Sequence, residues 1–229
     1  MDRPARDDER HIMTKEYPGY GRNPVFHEPA RSHRFRWRVA DISVASVIGV
    51  ASALIYWLVA MISVAPIPIL EGIVPGLGGL FNGLWLFAGP LALLIVRKPG
   101  AGVYAEVVAA VLESLMGSQW VPVETFLIGL LQGAMAELAF LPFAYKVWNM
   151  ATTLLSGVLS AVGCWLYMFV TNLQAISISG PYGLVSLLAT VASGLVFAGF
   201  IVWHLYLAIA GTGALDRFES GRQARGAHR

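Results

Sequence analysis

The sequence is poor in charge. Of its 229 residues, 13% are Asp, Glu, Lys or Arg and 56% are hydrophobic, with a mean hydropathy of +0.63. A soluble domain carries about 25% charged residues. Between Ile42 and Val96 the charge is Glu71 alone, and between Val147 and Leu215 there is none. A soluble monomer has no way to cover that much apolar surface, and a disordered chain needs the opposite composition. Both classes are excluded, which leaves an all-α integral membrane protein with several spans.

Other shortages narrow the chemistry. Cys164 is the single cysteine, so no intrachain disulfide forms and a thiolate metal cluster is excluded. Four of the five histidines (His11, His27, His33 and His228) lie in the polar ends, and His204 stands alone, so no histidine pair is available for a metal. A net charge of +2 gives no basic bias toward nucleic acid. No Walker motif is present, so the chain is not itself a P-loop ATPase, and neither an enzyme nor a cofactor is expected. The first forty residues are rich in Arg, Asp and Pro and lack the apolar core of a signal peptide. The expected organisation is a disordered cytoplasmic tail over 1–39, a membrane domain over 40–211 and a cytoplasmic C-terminal tail over 212–229.

Six apolar stretches meet or approach the roughly 20 residues needed to cross a bilayer. They run over about 41–64, 79–96, 101–116, 123–144, 148–170 and 184–209. Every Lys and Arg falls in the N-terminal tail, at Arg97-Lys98, at Lys146 or from Arg217 onward. Six spans put all of these on one side, and the positive-inside rule makes that side, with both termini, cytoplasmic. Arg97-Lys98-Pro99-Gly100 reads as a tight turn. The Pro- and Gly-rich stretch 65–79 is apolar but unsuited to a regular lipid-facing helix. It reads as an interfacial loop or as a lid over an outward-facing pocket.

Three carboxylates fall at bilayer depth: Glu106 and Glu113 on the third span and Glu137 on the fourth. Each costs roughly 2.5–3.5 kcal/mol to insert, so each requires a reason. Protonated acids tying helices together, a proton or cation relay, and a receptor for an amine or cationic ligand all fit. Glu137, with Gln132 near it on the helix, suits the helix-tying role best. In the outer half, Asn82, Trp85, Trp165, Tyr167 and Tyr182 surround the level of Glu113, a set suited to a flat heteroaromatic ligand. The candidate binding residues are therefore Asn82, Trp85, Glu106, Glu113, Gln132, Glu137, Trp165, Tyr167 and Tyr182. On the first span Ala45, Gly49 and Ala53 recur every four residues, a spacing that lets another helix approach closely.

These residues, taken in order, resemble a known family. Asn82-Gly83-Leu84-Trp85-Leu86-Phe87 leads into Arg97-Lys98-Pro99-Gly100-Ala101, then Glu106, Glu113-Ser114-Leu115-Met116-Gly117 and Gln132-Gly133-Ala134-Met135-Ala136-Glu137, followed by Pro181-Tyr182 and Ser193-Gly194. The pattern, over roughly 41–211, is similar to YkoE-type substrate-binding subunits (S-components) of energy-coupling-factor (ECF) vitamin transporters. The resemblance implies a six-helix subunit that captures thiamine or its hydroxymethylpyrimidine precursor from outside. It also implies a transmembrane coupling protein and a pair of cytoplasmic ATPases as partners, with Ala45, Gly49 and Ala53 against the coupling protein. Glu113 would take the amino group or cation of the ligand, and Trp85 would stack on it. The competing expectations are a self-sufficient proton- or cation-coupled carrier built on Glu106, Glu113 and Glu137, and a non-transporting scaffold. The halves show no obvious repeat of the kind many carriers have.

Overall fold

A computed structural model describes residues 35–118, 120–173 and 176–226. The expected tail over 1–39 lies outside the described residues as far as position 34. Among the described residues the chain is helical throughout, without strands.

Helix α1 (Val39–Ser63) begins on a buried charge. Asp41 accepts from the Arg38 backbone N–H at 2.7 Å and pairs with the buried Lys98 ammonium. Lys98 also donates to the Arg36 carbonyl at 2.6 Å, and the Trp37 indole N–H reaches Pro99 O at 3.1 Å. A buried charge persists only when paired and hydrogen-bonded, and this one fastens the start of α1 to the 97–100 turn. In that turn Arg97 (φ 57°) and Gly100 (φ 88°) are both left-handed, so one helix ends and the next begins across four residues. The tight turn read from the sequence is present.

One side of α1 exposes Val47, Leu54, Leu58 and Ile62, an apolar face suited to lipid. The other side carries Ala45, Gly49 and Ala53, all buried. A Cβ on Gly49 would fall 2.7 Å from Val108 Cγ1. At Gly49 the close approach that the stripe permits is made by the protein's own helix over Ala101–Leu115.

The Pro/Gly-rich stretch carries one short helix at its start. Helix α2 (Pro66–Ile73) forms because Pro66 and Pro68 stand in its first turn, where the missing N–H costs nothing. Gly76 (φ 100°) then reverses the chain, and Glu71 reaches forward to accept from Gly76 N (2.8 Å) and Gly78 N (2.9 Å).

The second apolar stretch is broken in two. Leu77–Trp85 is a 3₁₀ segment, and α3 (Ala88–Val96) follows after a break at Leu86–Phe87. The 3₁₀ segment lies flat on a later helix through its glycines. Gly83 N donates to Ser193 Oγ at 2.9 Å, and a Cβ there would fall 2.4 Å from Ser193 O. All nine residues of α3 are buried, as expected of a helix that is apolar on every side.

Helices α4 (Ala101–Leu115) and α5 (Pro122–Leu138) pack closely, with a Cβ on Gly133 falling 2.5 Å from Val103 Cα. The fourth stretch does not run to Ala144: a 3₁₀ turn follows at Leu141–Phe143, and Ala144 and Tyr145 are left-handed. Helix α6 (Met150–Thr171) starts on Asn149, whose side chain accepts from Thr152 N at 2.9 Å. The last stretch starts at Pro181, three residues before the expected Leu184, and comprises α7 (Pro181–Gly194), a wide π-turn (Leu195–Ile201) and α8 (Val202–Gly211). It meets α6 backbone to backbone, with a Cβ on Gly157 falling 2.6 Å from Gly194 O and 2.8 Å from Gly199 N.

Among the described residues, four segments are long and apolar enough to cross a membrane: Val39–Ser63, Leu77–Val96, Met150–Thr171 and Pro181–Gly211. At 15 and 17 residues, α4 and α5 are shorter and carry the three deep carboxylates. The C-terminal region is not a loose tail. Helix α9 (Glu219–Gly226) docks on the inner helices, with Ser220 Oγ donating to Ile95 O and Tyr206 donating to Ser220 O, both at 2.7 Å.

Candidate functional site

A helix beginning inside a protein leaves backbone N–H groups that need acceptors. α3 is such a helix. Ala88 N donates to the Tyr56 hydroxyl at 3.0 Å, Gly89 N donates to Glu106 Oε1 at 2.7 Å, Pro90 has no N–H, and Leu91 N reaches Phe87 O. Tyr56 donates its own proton to Glu106 Oε2 at 3.1 Å. The carboxylate at 106 therefore caps a broken span, and the positive end of the helix dipole favours it there.

Glu137 does the same for α4. It accepts from Gly100 N (2.8 Å), Gly102 N (3.1 Å) and Val103 N (3.3 Å), and from the Tyr145 hydroxyl at 2.9 Å. Burial and the neighbouring carboxylate hold the Tyr145 phenol above its ordinary value, so it remains a donor. Glu137 is not among the residues that line the cavity described below, and backbone amides occupy its carboxylate.

Glu113 is different. Its side chain is 2% exposed, and Oε1 accepts from the Trp85 indole N–H at 3.1 Å, while Oε2 accepts from no described group. It faces a cavity of about 350 Å³ at the end of the bundle away from the 97–100 turn. Of the candidates, Asn82, Trp85, Glu106, Glu113, Gln132, Tyr167 and Tyr182 line this cavity together. Trp165 does not. It packs against Phe169 with ring centroids 4.7 Å apart.

The cavity draws on more residues than the sequence suggested. Tyr56 comes from α1 and Glu71 from α2, while Trp120, Glu124 and Thr125 come from the start of α5 and the residues before it. Cys164, Met168 and Asn172 come from the end of α6, and Ser186 comes from α7. Tyr56 carried a usable signal, a hydroxyl in mid-span that must find a partner. The others lie mostly on helix faces turned to the cavity, and composition alone does not tell that face from one that packs on a neighbour. Asn82 is fixed by donating to Thr190 Oγ1 at 2.9 Å. The result is a pocket with aromatic walls, amides at its sides and a buried carboxylate with one oxygen free. Such a set holds a flat ring by stacking and an exocyclic N–H or cation by charge-assisted hydrogen bonding.

Comparison with known proteins bears on this geometry. Residues 40–163 match the family described as ABC-type cobalt transport system, permease component. A protein of Bacillus subtilis (strain 168) named as an HMP/thiamine permease protein, YkoE, is 30% identical over 198 residues, covering 82% of this chain and 92% of that one. A crystal structure of an S-component of an ECF transporter superposes with a TM-score of 0.75 at 29% identity, covering 84% of this chain and 95% of the other.

Proposed function

This chain belongs to the ABC-type cobalt transport permease family, as an ECF-transporter S-component of the HMP/thiamine type, and on that footing we propose that it captures thiamine or its hydroxymethylpyrimidine precursor in the cavity above Glu106. The observation that carries the reading is Glu113, buried, facing the cavity and hydrogen-bonded on one oxygen only. Its free oxygen accepts from the aminopyrimidine N–H, a contact common to both ligands. Trp85, Tyr167 and Tyr182 supply ring faces, Gln132 supplies an amide to the ring nitrogens, and Asn82, whose amide N–H groups go to Thr190 and Met168, presents its carbonyl oxygen.

The family description speaks of cobalt. Among the described residues no three His, Cys, Asp or Glu side chains come together to hold an ion, which favours an organic ligand. A relay of carboxylates is disfavoured, because Glu106 and Glu137 are engaged by backbone N–H groups.

In this reading the chain has six spans: α1, the 3₁₀ segment with α3, α4, α5 with its following turn, α6, and α7 through α8. Both termini are cytoplasmic, in keeping with the confinement of Lys and Arg to one set of connections. A transmembrane coupling protein and two ATPases supply the energy, since no P-loop is present in the sequence.

Thermal unfolding of the purified protein with thiamine and with hydroxymethylpyrimidine tests this. A ligand at 100 times its Kd adds about 2.7 kcal/mol of apparent stability. A rise in Tm with either compound is expected, and no rise with both overturns the reading.

A further inference from the structure

We propose that the cavity selects against phosphate esters, taking thiamine or hydroxymethylpyrimidine as the free alcohol and turning away the monophosphate of each. The inference rests on the proposed function and adds a rule of exclusion to it.

The first support is the lack of cations. Among the described residues no Lys, Arg or His lines the cavity, and the sequence has none over 39–96, 99–145 or 147–203, the stretches that supply every described lining residue. The second is that the backbone donors a phosphate would otherwise use are already engaged. Gly76 N and Gly78 N donate to Glu71, Ala88 N to Tyr56, Gly89 N to Glu106 and Gly83 N to Ser193. A phosphate is normally held by such free N–H groups at helix starts or by Arg and Lys.

The third support is the sign of what remains. Glu71, Glu106, Glu113 and Glu124 all line the cavity. Glu113 is the informative one, being 2% exposed, with no partner for Oε2 among the described residues, so that it is open to a donor or a cation. A dianionic ester entering here meets carboxylates without counter-charge in a largely apolar enclosure, where repulsion is poorly screened. A free hydroxyl meets no such penalty and can donate.

The test is isothermal titration of the full chain in lipid nanodiscs with thiamine, thiamine monophosphate, hydroxymethylpyrimidine and its monophosphate. Each ester is expected to bind at least about 100-fold more weakly than its parent alcohol. The variant E124K, which sets a cation at the cavity, is expected to narrow that ratio severalfold. An ester within threefold of its alcohol in the unmodified protein overturns the inference and leaves the proposed function standing. So does an E124K protein that binds the alcohol yet leaves the ratio unchanged. Failure of all four compounds to bind overturns both.

Discussion

The Trp85 indole N–H and the Glu113 carboxylate meet at 3.1 Å, joining the 3₁₀ segment of the broken span to the far end of α4. The bond orients a buried carboxylate and leaves its second oxygen toward the cavity. Glu113→Gln keeps the shape and an acceptor for Trp85 but removes the charge. A hydrogen bond to a charged group contributes about 1.5–3 kcal/mol, so ligand affinity should fall between about tenfold and 100-fold, with Tm in the absence of ligand little changed. Titration of thiamine into wild type and variant checks this. Equal affinities would remove Glu113 from the site.

Glu137→Ala should behave in the opposite way. Gly100 N, Gly102 N, Val103 N and the Tyr145 hydroxyl all lose their acceptor. The loss should be on the order of 3 kcal/mol, seen as a lower thermal midpoint in detergent. The protein that remains folded should bind ligand as wild type does, because Glu137 is not at the cavity. A variant that unfolds normally but binds poorly would contradict this division of labour.

Tyr56→Phe removes one hydroxyl that both accepts from Ala88 N and donates to Glu106. It leaves a buried N–H unpaired at a cost of about 1–3 kcal/mol. Since Tyr56 also lines the cavity, stability and affinity should fall together. Amide exchange at Ala88 should quicken, and unchanged exchange there would mean the start of α3 is held by other means.

Gly49→Val probes the small-residue stripe. The added atoms meet Val108 and the Ala105 carbonyl within this chain. Overpacking of this kind costs about 1–3 kcal/mol. The isolated chain, without partners, should therefore lose thermal stability. An isolated chain of unchanged stability would return the stripe to an external partner.

Much of this architecture is legible in the sequence, and particular residues show why the rest is not. The membrane class follows from charge spacing alone, and the 97–100 turn follows from Pro99-Gly100. The depth of Glu106, Glu113 and Glu137 can be counted from the flanking cations. Their roles cannot, because the groups that separate them are backbone N–H donors at Gly89 and at Gly100, Gly102 and Val103, and any sequence carries those. The break at Leu86–Phe87 is hidden as well, since an apolar run looks the same whether its turns are 3₁₀ or α. The helical start of 65–79 is masked by Pro66 and Pro68, which break a helix in its interior but are neutral in its first turn. The small residues of α1 do mark a contact face, but spacing gives no indication of which helix comes to meet them.

The π-turn at Leu195–Ile201 shifts the register of the last span. A π-turn inserts about one residue relative to an α-helix, which rotates the succeeding residues by about 100°. The buried positions of α7 include Ser186, Thr190 and Ser193, and those of α8 are Val202, Tyr206 and Ala210. Buried Ser186, Thr190, Gly194, Ala198, Val202, Tyr206 and Ala210 recur every four residues, a spacing that drifts off one face of a regular α-helix and that the wider π-turn brings back. Deleting one residue between 195 and 201 would break that spacing and turn Tyr206 off Ser220, so that a one-residue change among apolar side chains would release α9 at the opposite end of the bundle from the cavity.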